Sequence, residues 1–403
     1  MSRAFYMVRG KSPLQMGFRY GILLWNGGGS LNAIIKWPGG KSRELDKIKD
    51  LIPDTYDRYV EPFFGGGALY FDLMPKKAAI NDISASLMDF YRLVKVQDAA
   101  LRELLLCYNG SFQNLLLVCE ENVDALLDIF ARLQNSELTD AALLDAVRHF
   151  VLGVRDRILS GFGGKLLLSE NAFFDMLVKM AADKLSRTVA NHAKKPFSEE
   201  DLRENLITGF MSGYYMYFRG VYNDIALGRL CDINDAYKAA NFYFIREYCY
   251  GSMFRYNAKG EFNIPYGGMS YNRKDMMAKI NHIFDADVAR IFARTEICSM
   301  DFESFFDAVQ LTEDDFMFLD PPYDTEFSDY EGKSFNRRDQ ERLAEALKKT
   351  QAKFILVIKN TDFIYGLYHQ DFSIFTFDKQ YTYNVRSRNE RGAEHLIITN
   401  LPV

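Results

Sequence analysis

The chain has 403 residues, of which 48% are apolar and 26% charged, so it is long enough for a full-sized domain plus a smaller one and is neither disordered nor fibrous in character. Its cysteines, Cys107, Cys119, Cys231, Cys249 and Cys298, lack the paired short spacing of zinc ligands or of a disulfide framework, and no apolar run approaches the length that spans a bilayer. The expected setting is a reducing cytoplasm, away from membranes. The formal charge of −5 opposes contact with a polyanion, but it is unevenly spread: acids crowd residues 120–128, 199–204 and 301–315, while residues 246–294 and 379–391 are locally basic.

Residues 1–30 carry no period and end in Asn26-Gly27-Gly28-Gly29-Ser30, the composition of a flexible extension or tag. From Tyr56 the pattern is regular. An extended Tyr59-Val60-Glu61-Pro62-Phe63 leads to a glycine turn and a helix through Leu73, then a strand Ala78-Ala79-Ile80 and a long helix from Ser84. This βαβα series predicts a parallel sheet covered by helices. Residues 101–211 form long amphipathic stretches rich in leucine and alanine, without strand-like alternation, and read as a helical insertion. Aromatic, basic and glycine residues interleave over 242–266. The βα rhythm returns at 295–298, 316–319 and 354–358, with a closing pair near 372–377 and 395–399. The expected organisation is an α/β sheet domain from residues 31–100 and 290–403, interrupted by an insertion over 101–289.

The sharpest feature is Phe316-Met317-Phe318-Leu319-Asp320-Pro321-Pro322-Tyr323, an apolar strand ending in an acid, two prolines and an aromatic. Strand carboxyl ends line the ligand crevice of open α/β sheets. A carboxylate and the Pro321 carbonyl placed there can accept the two N–H bonds of an exocyclic amino group, and Tyr323 can stack on a base. In isolation the same residues fit a strand, a proline turn and a helix cap. They are accompanied, however, by Glu61-Pro62-Phe63-Phe64-Gly65-Gly66-Gly67 between a strand and a helix, and by Asn81-Asp82 at a strand end, where an acid commonly holds ribose hydroxyls.

Together with Lys36-Trp37-Pro38-Gly39-Gly40-Lys41, these motifs closely resemble, in family order, those of Dam-type, alpha-group DNA adenine-N6 methyltransferases. The resemblance covers residues 31–91 and 242–403. It implies a Rossmann-like class I methyltransferase sheet with an inserted, mostly helical target-recognition domain carrying a β-hairpin. It also implies S-adenosyl-L-methionine as cofactor, held by Trp37, Lys41, Glu61, Pro62, Phe63, Gly65, Gly67 and Asp82, with Asp301 and Phe302 at its adenine and Asp320 bordering it. Asp320, Pro321, Pro322 and Tyr323 are the implied catalytic residues. No metal is expected.

Residues 254–267 resemble the hairpin with which this family reads the major groove. That resemblance assigns contacts with double-stranded DNA to Tyr250, Arg255, Asn257, Lys259 and Pro265, and to Arg388 in the Ser387–Gly392 segment. Lys36 and Arg255 match the family's guanine readers, so GATC or a site containing GA is expected; Gly251 departs from the asparagine often found there. A monomer is the family's usual state, and the insertion is long enough to widen the DNA footprint or to dock a partner protein; a cognate restriction enzyme is open. Rival readings remain: cytosine-N4 or RNA adenine methylation, and a non-catalytic DNA-binding regulator. Gly161-Phe162-Gly163-Gly164-Lys165 lacks phosphate-loop spacing, no histidine pair is spaced as metal ligands, and no cysteine follows a proline as a covalent route to cytosine C5 requires.

Overall fold

Short apolar runs bounded by turns form one seven-stranded sheet: β1 (Arg58–Glu61), β2 (Ala78–Asn81), β3 (Thr295–Cys298), β4 (Asp315–Leu319), β5 (Lys353–Lys359), β6 (Ser373–Gln380) and β7 (Gly392–Thr399). Their order is β3-β2-β1-β4-β5-β7-β6. β2 and β4 are buried along their whole length, as strands covered on both faces must be. The computed structural model describes residues 30–39, 44–323, 329–330, 333–380 and 392–402. The expected extension before Ser30, and the assignments to Lys41 and Arg388, lie outside the described residues.

β1 pairs in parallel with β2 and β4, β2 with β3, and β4 with β5, while β7 runs antiparallel between β5 and β6. The antiparallel partners are the closing pair read from the sequence. The chain winds outward from β1 to β3 and then returns to β4 on the other side of β1. The winding direction therefore reverses between β1 and β4, the place where an open α/β sheet leaves a crevice outside its strand ends. Val60 and Met317 lie side by side in that central pair. Beneath them, Phe302 and Phe305 of the helix Phe302–Val309, and Leu343 and Leu347 of the helix Arg337–Lys349, complete the core.

At the opposite ends of the same two strands, Arg58 and Asp315 face each other in register. Arg58 donates Nε to Asp315 Oδ1 at 2.9 Å and Nη2 to Oδ2 at 2.7 Å, and the Thr312 amide donates to Oδ2 at 2.8 Å. Burial raises the Asp315 carboxyl, but the arginine and the amide outweigh it and hold the group below the usual aspartate range. Its stabilisation is therefore complete above the ordinary aspartate pKa and is lost as pH falls through the depressed folded value. Asp315→Ala, which strands a largely buried guanidinium, is expected to cost about 3 kcal/mol in urea denaturation at pH 7, with the deficit shrinking toward pH 3. A pH-independent deficit would contradict this.

Packing separates a second unit, residues 34–38 and 89–289, from the sheet unit of residues 39–88 and 290 onward together with 30–33. This division falls inside the helix Ala85–Lys95 rather than near residue 100, because Phe90 stacks on Tyr243 at 5.2 Å and Tyr91 is fully buried. The helical unit is built on the antiparallel pair Glu170–Lys194 and Glu199–Ala226. Pro196 follows the first helix, and Ser198 caps the second by accepting the Asp201 amide at 3.1 Å. Gly209 and Gly213 let the helices approach closely, since a Cβ at either would come within 2.9 Å of a backbone atom of the facing helix. Aromatic rings fill the centre: Tyr108 stacks on Phe244 at 4.7 Å, and Asn241 donates to the Tyr108 hydroxyl at 2.9 Å.

The expected hairpin is present only in part. Residues 249–266 make two isolated antiparallel bridges, Cys249 with Tyr266 and Tyr256 with Phe262, rather than two regular strands. The reason lies in the helix Glu199–Ala226, whose side chains take the hydrogen bonds that a strand would supply. Tyr215 and Arg219 donate to the Ile264 carbonyl at 2.9 and 3.1 Å, and Asn223 both donates to the Phe262 carbonyl and accepts its amide, at 3.1 and 2.8 Å. These residues are spaced to share one helix face.

Candidate active site

Because β1 to β4 are parallel, their carboxyl ends share one edge of the sheet. The loop after β1 starts at buried Glu61, which accepts the Tyr59 hydroxyl at 2.7 Å. It then turns through Gly65 and Gly67, with φ of 49° and 64°, a left-handed conformation that side chains rarely adopt. At Gly67 a Cβ would also lie 2.4 Å from the Phe64 ring, so the turn needs glycine twice over.

Asp82, at the end of β2, fixes this turn. Its Oδ2 accepts the Gly65 amide at 2.9 Å and its Oδ1 the Ser84 amide at 3.0 Å. Burial pushes its carboxyl above the usual aspartate value, opposed by backbone donors from Ser84, Gly65 and Ile83. Asn81 beside it has a role that its place at a strand end does not reveal. Its side chain donates to the carbonyls of Pro62 and Met300 at 3.1 and 3.0 Å and accepts the Met300 amide at 2.9 Å, which ties together the loops after β1, β2 and β3.

Phe63, Phe302 and Phe335 form an aromatic triangle with centroid separations of 5.6 to 5.9 Å. Arg342 lies 4.9 Å from the Phe302 centroid. Asp301 is occupied structurally: it accepts the Glu303 amide at 3.0 Å as a helix cap and the Arg342 guanidinium at 2.7 Å. Arg342 also pairs with Glu303 and with Asp339 at 2.9 Å, and this ring of carboxylates holds it charged.

Across the switch point, β4 delivers Asp320, Pro321, Pro322 and Tyr323. Two buried residues set the shape of this loop, and the sequence singled out neither. Gln340 donates to the Pro322 carbonyl at 2.8 Å, and His395 of β7 shares a 3.2 Å hydrogen bond with the Tyr323 hydroxyl, their rings nearly perpendicular at 5.5 Å. The only sequence signal for His395 is a histidine within the apolar run of the last strand.

In the helical unit, Trp37 packs edge-on against Phe254 at 4.6 Å. Arg246, 1% exposed, lies 3.6 Å from the Phe254 centroid and 5.4 Å from that of Trp37. Arg255 is exposed and donates Nε to Asn263 at 2.8 Å, which orients its guanidinium. Tyr250 is 40% exposed, and Lys259 and Pro265 are exposed on the same excursion. Asn257 instead organises the turn: its Oδ1 accepts the Lys259 and Glu261 amides at 2.9 and 3.0 Å, and its Nδ2 donates to Glu261. Lys36, exposed, adds to a basic group with Lys274 and Lys279, which both bind the buried Glu247 carboxylate at 2.7 and 2.6 Å. Burial, with the neighbouring positive charges, pushes Lys274 down to about 8.

Among the described residues no cluster of histidine, cysteine or acidic side chains could hold a metal ion, and no helix is long and apolar enough to cross a membrane. The geometry defines a doubly wound α/β fold whose switch point lies between the glycine turn fixed by Asp82 and the loop after β4. A family model, the D12 class N6 adenine-specific DNA methyltransferases, matches residues 37–139 and 184–383, and the chain belongs to this family. The match reaches well into the helical block, leaving residues 140–183 between its two parts. Similar proteins include the type II methyltransferase M.CviBI of Paramecium bursaria Chlorella virus NC1A, 25% identical over 92% of this chain and 100% of that protein. The type II methyltransferase M1.LlaDCHI of Lactococcus lactis subsp. cremoris is 23% identical over 92% and 96%. The retron Ec67 DNA adenine methylase of Escherichia coli is 31% identical over 32% and 44%. The chain is thus an adenine-specific DNA methyltransferase that uses a methyl donor.

Proposed function

We propose that the chain methylates adenine N6 within one short recurring sequence of double-stranded DNA, on a base turned out of the helix, with S-adenosyl-L-methionine as donor. The observation that carries this reading is the pairing of two loops at the switch point: the glycine turn fixed by Asp82 after β1, and the Asp320–Tyr323 loop after β4. The donor set fits a nucleoside sulfonium: Asp82 keeps further lone pairs for ribose hydroxyls, the glycine turn has no side chain to block close approach, and the half-buried Phe63, backed by the buried Phe302, supplies aromatic surface for a base. S-adenosyl-L-methionine, when bound, supplies an electrophilic methyl group on a positively charged sulfur.

Asp320 accepts one N–H of the adenine amino group and the Pro321 carbonyl accepts the other. That pair of bonds draws the nitrogen toward a pyramidal form whose lone pair can attack. Tyr323, its hydroxyl tethered by His395, stacks on the extruded base. The donor held at the glycine turn and Asp82 would supply its methyl to that nitrogen, the carbon–sulfur electron pair leaving with the neutral thioether and the surplus amino proton passing to solvent. Positioning supplies most of the acceleration. Lys36 and Arg255 read guanines, which favours GATC or a longer site containing GA. The type II names of two relatives favour a separate restriction enzyme as partner, and the family's usual state makes the chain itself a monomer.

Incubation of the purified chain with S-adenosyl-L-methionine and unmethylated plasmid, followed by single-molecule sequencing, is expected to place N6-methyladenine at one short motif. Unmodified adenine, with cofactor binding intact by calorimetry, refutes the reading in favour of an RNA substrate or a silent regulator; N4-methylcytosine refutes it in favour of the other amino group.

A further inference from the structure

We propose that Arg246 is a positioning residue that holds Lys36 and Arg255 in fixed relation to one another and thereby sets the sequence specificity of methylation. This rests on the reading that the chain methylates DNA at a defined site. Arg246 occupies the last turn of the helix Asp235–Tyr248 and is 1% exposed. Its Nη1 donates to the Met253 carbonyl at 3.0 Å and its Nη2 to the Ser252 carbonyl at 2.7 Å. Its guanidinium carbon lies 3.6 Å from the Phe254 centroid and 5.4 Å from that of Trp37, and those two rings meet edge-on.

The consequence follows from chain adjacency. Lys36 immediately precedes Trp37, and Arg255 immediately follows Phe254. One buried cation therefore grips the aromatic neighbour of each guanine-reading candidate, together with the two carbonyls that precede Phe254. The backbone it grips is itself unusual, since Gly251 and Ser252 both have positive φ, 62° and 52°. A non-glycine residue stays in that region only where its surroundings hold it there.

Stability alone is a poor explanation for this side chain. Its hydrogen bonds go to carbonyls rather than to a carboxylate, and its Nε has no hydrogen-bond partner among the described residues. Burying a cation on these terms is unfavourable compared with an apolar residue of the same volume. What an arginine provides and an apolar residue cannot is a flat, rigid fork that donates to two carbonyls along its edge while stacking on rings with its face. Lysine keeps the charge but gathers its donors on one nitrogen without the planar fork, so Arg246→Lys separates charge from geometry.

The test uses the full chain, Arg246→Lys and Phe254→Leu, each assayed on duplexes carrying the site that the unmodified chain methylates and on all its single-base variants. For Arg246→Lys the ratio of kcat/KM on the cognate duplex to that on the best variant duplex is expected to fall about tenfold or more, a ratio in which any change in cofactor affinity cancels. Phe254→Leu, which removes the ring face but leaves the carbonyl bonds, is expected to lower the ratio about threefold. A purely structural role would slow all duplexes alike, and an unchanged ratio in a folded variant overturns the proposal. If Arg246→Lys does not fold, Phe254→Leu decides by the same ratio. Failure of the unmodified chain to methylate DNA overturns the underlying reading, an outcome distinct from a methylating chain whose variants discriminate normally.

Discussion

Asp320→Ala is expected to lower single-turnover methyl transfer about a thousandfold while leaving cofactor affinity within about threefold of the unmodified chain. The expectation follows from what the amino group lacks. Its lone pair is delocalised into the purine ring, so it attacks only when hydrogen-bond acceptors make the pyramidal form favourable. A carboxylate at the end of a fully buried strand would, in the proposed mechanism, supply the stronger of the two acceptors without any rearrangement. Removing it leaves the loop in place, because Gln340 and His395 anchor Pro322 and Tyr323 independently of residue 320. Loss should therefore appear in the chemical step and not in binding. Transfer from labelled cofactor to a cognate duplex, with calorimetry alongside, measures both. Near-normal transfer would remove Asp320 from the mechanism, and a collapse of cofactor affinity would reassign it to the cofactor pocket.

The strands and the position of the loop after β4 were legible in the sequence because each depends on local chemistry. Phe316 to Leu319 is apolar enough to be a buried strand wherever it occurs, and Gly65 and Gly67 mark a left-handed turn in which a Cβ at the second would strike the Phe64 ring. Asp82 was legible as an acid at a strand end, but its role in fixing the Gly65 amide was not, since that bond is made 17 residues away. The supporting residues were hidden for the same reason, more strongly. Asn81 meets Met300 across 219 positions, His395 meets Tyr323 across 72, and Gln340 looks from sequence like any polar residue on a helix.

Residues 249–266 failed in a more instructive way. Their resemblance to a hairpin was sound as connectivity, since the chain does go out and return with antiparallel bridges. Regular strands did not form because Tyr215, Arg219 and Asn223 satisfy the returning limb from a helix. A limb held by side chains is set in place at particular points instead of by a continuous ladder. That arrangement makes the placement of Arg255 depend on a few buried anchors, Arg246 among them.

Asp82→Ala is expected to weaken binding of S-adenosyl-L-methionine by two to three orders of magnitude. Two backbone amides, of Gly65 and Ser84, lose an ionised acceptor at about 1.5 to 3 kcal/mol each, and one decade of affinity corresponds to about 1.4 kcal/mol. Part of that loss falls on the empty protein as a looser glycine turn; the rest falls on the cofactor, whose ribose loses its acceptor and whose turn must be reordered on binding. The pH dependence has a definite sign. Burial raises the Asp82 carboxyl above its ordinary value, and only the ionised form accepts from both amides and from a ribose hydroxyl. Cofactor affinity should therefore fall as pH drops through that raised value, and this dependence should vanish in the alanine variant. Calorimetric titration from pH 8 downward through the ordinary aspartate range measures both effects, and an alanine variant that binds as tightly as the unmodified chain would move the cofactor away from the end of β2.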